Sequence, residues 1–229
     1  MNTTPDSTPV AAPTASRERP ILFSGKMVRA ILEGRKTQTR RIVKPQPEAA
    51  GFGRNCIVRP YCTGTAWPLA YYERRGACWN SSDPLRCPYG KHGDRLWVRE
   101  TWAPGCDAAS AKSLGRPNCF YRSTDGEPPK YLNPFKWRPP IFMPRLTSRI
   151  TLEIEAVRVE RLQDISDHDA ICEGIPDYPD FSSDSPVHDY SAIWESINGR
   201  GSWDRNPWVW VIQFKRYELA RSAESLRGH

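Results

Sequence analysis

Residues 207 to 214 read Pro-Trp-Val-Trp-Val-Ile-Gln-Phe, apolar at odd and even positions alike. Successive side chains of a strand point to opposite faces, so a run without polar alternation needs cover on both sides. The chain must therefore build a sheet in which this segment is central, either closed on itself or covered above and below. No repeat and no regular alternation of strands with helices accompanies it, which argues against a doubly wound sheet.

The other elements are short and well punctuated. Arg19 to Phe23 reads as a strand, and Ser24 caps a helix from Gly25 to Glu33 whose Met27, Val28, Ile31 and Leu32 form one apolar stripe, with Gly34 as the stop. Arg95 to Trp102 nearly alternates apolar with polar, as on a half-buried strand. From Ser148 to Leu162 the apolar parity changes between Ile154 and Val157, which predicts a bulge or bend near Ala156. Ser166, with Asp169 three residues later, opens a helix through Ala170, Ile171 and Glu173 that Gly174 ends. A further helix is expected from His188 to Ile197, with Tyr190, Ile193, Trp194 and Ile197 inward.

These segments predict an α+β fold: a small β-barrel with short flanking helices. The 229 residues suit one domain spanning 19 to 217. Two long insertions, about 45 to 92 and 103 to 147, are rich in Pro, Gly and aromatic residues without sustained period and are expected to be irregular. Residues 1 to 18 read as a disordered leader and 218 to 229 as a polar tail. Aromatic residues of the insertions, Tyr121 and Trp137 among them, either stack on bases or pack the insertions onto the barrel.

Charge is concentrated rather than spread. Between Lys26 and Lys44 lie seven basic residues and the single acid Glu33, in a chain of net charge +7. Within that stretch Gly34-Arg35-Lys36-Thr37-Gln38-Thr39-Arg40-Arg41 interleaves cations with hydroxyls, a mixture suited to a polyanion or a polar reaction site. No apolar run reaches the ~20 residues needed to span a bilayer, and the N-terminus lacks a signal-peptide layout, so a cytoplasmic, non-membrane protein is expected. Seven cysteines without such a signal read as reduced thiols. Cys56, Cys62, Cys78 and Cys87 share one insertion where a structural zinc could replace a missing core, although no Cys-x-x-Cys pair is present. No cofactor and no obligate protein partner is indicated.

In order, the Gly34 to Arg41 motif, Gly-Asp-x-Leu-x-Val at 93 to 98, the Ala170-Ile171-Cys172-Glu173 helix end and the closing Val211-Ile212-Gln213-Phe214 resemble the ASCH domain family of the PUA-like superfamily, in the longer form found in phage and prophage genomes. The resemblance covers roughly residues 19 to 216. It implies a small barrel whose cleft binds RNA or a modified nucleobase, and in one branch hydrolysis of the amide of N4-acetylcytidine. The reactive set of that branch falls on Lys36, Thr39 and Glu173, with Arg41 matching a nearby arginine. Chemistry is consistent with such roles, since amide hydrolysis needs a nucleophile, a base, an acid for the leaving amine and a donor for the oxyanion. Like charge at Arg35, Arg40 and Arg41, together with partial burial, is expected to depress the pKa of Lys36. Two classes of function stay open: a hydrolase of an acylated cytidine or related nucleoside, and a non-enzymatic RNA or DNA binding module, or a ribonuclease, that contacts nucleic acid through Arg35, Thr37, Arg40 and Arg41.

Overall fold

The computed structural model describes residues 16–44, 46, 56–61, 69–74, 85–105, 119–126, 136–175 and 185–218. Its strands are β1 (Glu18–Leu22), β2 (Gln38–Ile42), β3 (Cys56–Tyr61), β4 (Leu69–Arg74), β5 (Leu85–Arg86), β6 (Arg95–Arg99), β7 (Trp102–Pro104), β8 (Cys119–Tyr121), β9 (Thr151–Arg161) and β10 (Trp208–Arg216). Its helices are α1 (Gly25–Leu32), α2 (Asp167–Cys172) and α3 (Pro186–Asn198).

The main sheet runs β1-β6-β9-β10-β2, with β1 parallel to β6 and every other pair antiparallel. The fold is therefore mixed α and β, but the sheet is open where a closed barrel is expected from the sequence. β1 and β2 are its two edges. Pro20 lies in β1 and has no N–H to give a second neighbour, which suits an edge strand. A side chain spans the gap instead: Arg41 Nη2 donates to the carbonyl of Leu22 at 2.7 Å.

β10 lies between β9 and β2, and both its faces are covered as its composition requires. On one side Trp210, Ile212 and Phe214 pack with Ile21, Phe23, Val28 and Ile31 of the β1 and α1 region. On the other Val209 and Val211 meet Leu162, Ala170, Tyr190 and Trp194 of the α2 and α3 layer. Each such side chain contributes roughly 1.5–3 kcal/mol by leaving water, and β10 collects this from two cores.

The parity change in β9 is a bulge. Gln213 of β10 faces Ala156 and Phe214 faces Ile154, so Glu155 is the extra residue, and Leu152, Ile154, Val157 and Val159 all reach the same core. Ser24 caps α1, its Oγ accepting from the Met27 N–H, and Ser166 caps α2, accepting from Asp169 at 3.1 Å.

The insertions hold more regular structure than expected. β3, β4 and β5 form a separate antiparallel sheet inside the first, and β7 pairs with β8 inside the second. Strands of two to six residues are too short to establish a period against their Pro-rich surroundings. Tyr121 on β8 is buried and its hydroxyl donates to the Thr147 carbonyl, so its role is packing. Residues 1–15 of the expected leader lie outside the described residues, but Arg17 donates its N–H to Asp94 and Glu18 already belongs to β1, so the ordered chain starts earlier than expected; the tail beyond Glu218 lies outside the described residues. Among the described residues no helix is long and apolar enough to cross a membrane.

Candidate functional site

The exit of α1, the edge strand β2 and the end of α2 converge at one edge of the sheet. Lys36 follows the helix stop, and its N–H donates to Ala30 O at 3.0 Å. Its side chain is wholly buried and its Nζ donates to both Oε2 and the backbone carbonyl of Glu173, each at 2.7 Å. Glu173 occupies the C-cap of α2. Gly174, with φ +94°, then turns the chain so closely over α1 that a Cβ there would lie 3.0 Å from Ala30 Cβ and 3.2 Å from Lys36 Cβ.

Strand geometry divides β2 between the two layers. Thr39 faces Ile212 and Arg41 faces Trp210, toward the α1 core, whereas Arg40 faces Val211, toward α2 and α3. Arg40 is completely buried at its guanidinium and holds three carboxylates: Nη1 reaches Glu173 Oε1 at 3.3 Å, and Nη2 reaches Glu160 Oε1 at 2.6 Å and Asp169 Oδ2 at 3.0 Å. Arg158 closes the network, 3.0 Å from Glu160 and 3.2 Å from Asp169, and Gln38 donates to Asp169. Three cations thus meet three carboxylates. Such balance is what permits charges out of water, because an unpaired buried ion costs several kcal/mol.

The electrostatics follow from burial. Desolvation pushes the ammonium of Lys36 below the ordinary lysine range, Glu173 opposes that by charge and hydrogen bond, and Arg41 and Arg40 reinforce it. Burial is complete where the sequence suggests a partial effect, and Arg35 takes no share: it is exposed, pairs with Glu33 and donates to Gly174 O. For Arg40 burial works against the charge, but Glu173 and Glu160 raise its pKa further. Burial and then the charge of Glu173 lift the Tyr190 hydroxyl well above the usual tyrosine range.

Beside the network opens a pocket of about 200 Å³. Thr39, Arg40 and Arg41 of β2 and Glu173 line one part of it, and Tyr89, Tyr190 and Trp194 supply aromatic walls. Ile193 and Ile197, expected to point inward, stand at this pocket and are 37% and 56% exposed. The α3 stripe is thereby split, with Tyr190 and Trp194 in the core and the two isoleucines facing the opening. Arg41 lies 5.4 Å and Lys36 5.6 Å from the Phe23 ring centroid, which sets both cations against one aromatic ring.

The structure brings together Lys36, Glu173 and Arg40 by direct contact and sets Thr39 and Arg41 on the same pocket wall. Thr37 is separate: it is exposed, and its backbone joins α2 to β10 through Cys172 O and the Phe214 N–H. Asp169, Glu160 and Arg158 are partners that the sequence does not single out. Of the cysteines considered for zinc, Cys62 and Cys78 lie outside the described residues, as does the side chain of Cys56. Cys87 is buried, which pushes its thiol up to about 11. No cluster of three or more metal-ligating side chains occurs among the described residues.

Compared with protein-family models, with curated proteins and with solved structures, the chain matches none.

Proposed function

We propose that this chain is an ASCH-type hydrolase that cleaves the amide of an N4-acylated cytidine or a related modified nucleoside, and we read its open sheet as a variant of the PUA-like barrel in which Arg41 bridges the unpaired edges. The observation that carries this reading is the buried contact of Lys36 with Glu173, a residue that lines an aromatic-walled pocket together with Thr39. Buried ion pairs give little net stability compared with apolar packing, so one placed at a pocket is better accounted for by chemistry. A pocket of about 200 Å³ is smaller than the roughly 300–1,000 Å³ of drug-sized sites, and its aromatic walls suit one flat ring.

Each residue of the set takes one role. Lys36, in its neutral form, takes the proton of the Thr39 hydroxyl as the oxygen attacks the acyl carbon. Arg41 holds the oxyanion that forms. The proton passes from Lys36 to Glu173 across their hydrogen bond and on to the exocyclic nitrogen, which leaves as the amine of cytidine. Water, activated by the same lysine, then hydrolyses the threonine ester to release the carboxylic acid.

Incubation with N4-acetylcytidine followed by chromatography is expected to show cytidine and acetate. Thr39→Val and Lys36→Ala should each lower kcat by at least about a hundredfold with the fold retained. Full turnover by Lys36→Ala would remove the base assignment, and no turnover by the folded wild type would leave a nucleic-acid-binding module or a ribonuclease in its place.

A further inference from the structure

Among the described residues two tyrosines are buried, and their hydroxyls differ. That of Tyr121 donates to the Thr147 carbonyl at 2.8 Å. That of Tyr190 has no hydrogen-bond partner among the described residues, although the residue is only 4% exposed. Packing accounts for its ring, which lies 6.2 Å from both Trp194 and Trp203 in the layer that meets Val209 and Val211 of β10. Phenylalanine would pack there equally well, without setting an unpaired hydroxyl in a poorly hydrated place, which costs free energy. The oxygen is what needs a reason.

Its surroundings supply one. Tyr190 lines the pocket with Thr39, Arg40, Arg41 and Glu173, and its hydroxyl lies in the field of Glu173, Arg40, Arg41 and Glu160. The carboxylates there are already engaged: Arg40 and Lys36 hold the two oxygens of Glu173, and Arg40 and Arg158 those of Glu160. Arg41 gives Nη2 to the Leu22 carbonyl. Thr39 Oγ1 is like the Tyr190 hydroxyl in having no partner among the described residues, and neither oxygen is sealed from the pocket as the unpartnered Trp194 Nε1 is. Because β2 is an edge strand, the pocket beside it is reached from both layers, by Thr39 on the α1 side and by Tyr190 from α3. Two uncommitted hydroxyls thus meet one cavity from different elements. Burial and then the charge of Glu173 keep the phenol protonated, so it serves as a donor.

We propose that Tyr190 recognises the pyrimidine ring, its hydroxyl donating to the C2 carbonyl oxygen of an N4-acylated cytosine whose acyl carbon stands at Thr39. The assignment rests on the hydrolase reading and adds to it the residue that selects the base. Past the amide nitrogen such a ring presents two acceptors, N3 and O2. O2 is the farther from the amide, as Tyr190 stands on a different element from Thr39. An adenine acylated at N6 carries C2–H at the matching position and leaves the phenol unpaired, so this single contact separates the amides of the two bases.

The test compares wild type with Tyr190→Phe on N4-acetylcytosine and on 4-acetamidopyrimidine, the same amide with C2–H in place of the carbonyl, with products read by chromatography. Tyr190→Phe should lower kcat/KM for N4-acetylcytosine about 10–100-fold and change that for 4-acetamidopyrimidine by less than about twofold. Its urea midpoint should match or exceed that of wild type, since the hydroxyl removed is unpaired. Equal losses on the two amides, no loss on either, or a lowered midpoint overturns the proposal and leaves the hydrolase reading in place. Folded wild type that turns over neither amide overturns the hydrolase reading, and calorimetric titration with cytosine and with 4-aminopyrimidine then decides the contact by itself. Cytosine bound about tenfold more weakly by Tyr190→Phe, with 4-aminopyrimidine bound equally by both proteins, retains the contact. Cytosine binding that the variant leaves unchanged, or no binding, overturns it as well.

Discussion

Lys36 is the residue on which the proposed chemistry turns, and its environment carries a pH signature. Its ammonium is held below the ordinary lysine range first by burial and then by Arg41 and Arg40, against the pull of Glu173. With fewer protons bound in the folded than in the unfolded chain, stability should rise with pH from the folded pKa of Lys36 up to about 10.4, where an unfolded lysine titrates. In the proposed hydrolysis the same titration supplies the base, so kcat/KM for N4-acetylcytidine is expected to climb on an alkaline limb that ends below that value. Removing a neighbouring cation favours the ammonium, and Arg41→Gln should therefore move the limb to higher pH as well as lower its height. A limb that stays in place in this variant would detach the ionisation from Lys36. Asp169 shows the opposite linkage: burial raises its pKa, but Gln38, Arg40 and Arg158 together draw it below the usual carboxylate range. Its contribution to stability is present above about pH 3.9 and is lost as pH falls through its folded pKa.

At the scale of elements, the site depends on how closely α2 ends over α1. Gly34 and Gly174 both stop helices with positive φ, but a side chain at Gly34 would meet nothing within 4 Å, whereas one at Gly174 would press on Ala30 and Lys36. Gly34→Ala should cost about 1 kcal/mol for its backbone alone. Gly174→Ala should cost clearly more, roughly 2–4 kcal/mol, since contact strain adds to the same term. Equal urea midpoints for the two variants would show that the approach is not tight. Much of this layout is legible in the sequence because it is periodic or punctuated: the two-faced β10, the bulge one residue from Ala156, and the caps at Ser24 and Ser166. The network is less so. Asp169 reads as a capping acid, yet its carboxylate turns to Gln38, Arg40 and Arg158, and Glu160 belongs to no motif and joins the network only through Arg40 and Arg158. Arg40 looks like a phosphate ligand beside Arg41, and only the alternation of β2 against β10 assigns the two arginines to opposite layers. Closure of the sheet cannot be read either, since it depends on whether the distant edges β1 and β2 pair, and no local pattern encodes that.

For the molecule as a whole, β10 belongs to both cores, and this should decide how the protein unfolds. Ile212 is buried in the α1 layer and its neighbour Val211 in the layer of α2 and α3, so neither core can lose the strand without exposing the other. Both flanking strands, β9 and β2, also pair with it, and β2 has no other neighbour in the main sheet. Truncation of Ile212 to alanine should remove about 2–5 kcal/mol of stability through lost burial and the cavity left behind. Because the strand is shared, that loss is expected to reach well beyond the α1 layer. Native-state amide exchange can read this directly, comparing β10 with Tyr190 and Trp194 on α3, which do not touch the α1 core. In Ile212→Ala the exchange free energies of the β10 amides and of these α3 amides should fall by the same amount. A fall confined to β10 and α1 would mean that the two layers open independently, and the pocket between β2 and α3 would then be free to open without unfolding the sheet.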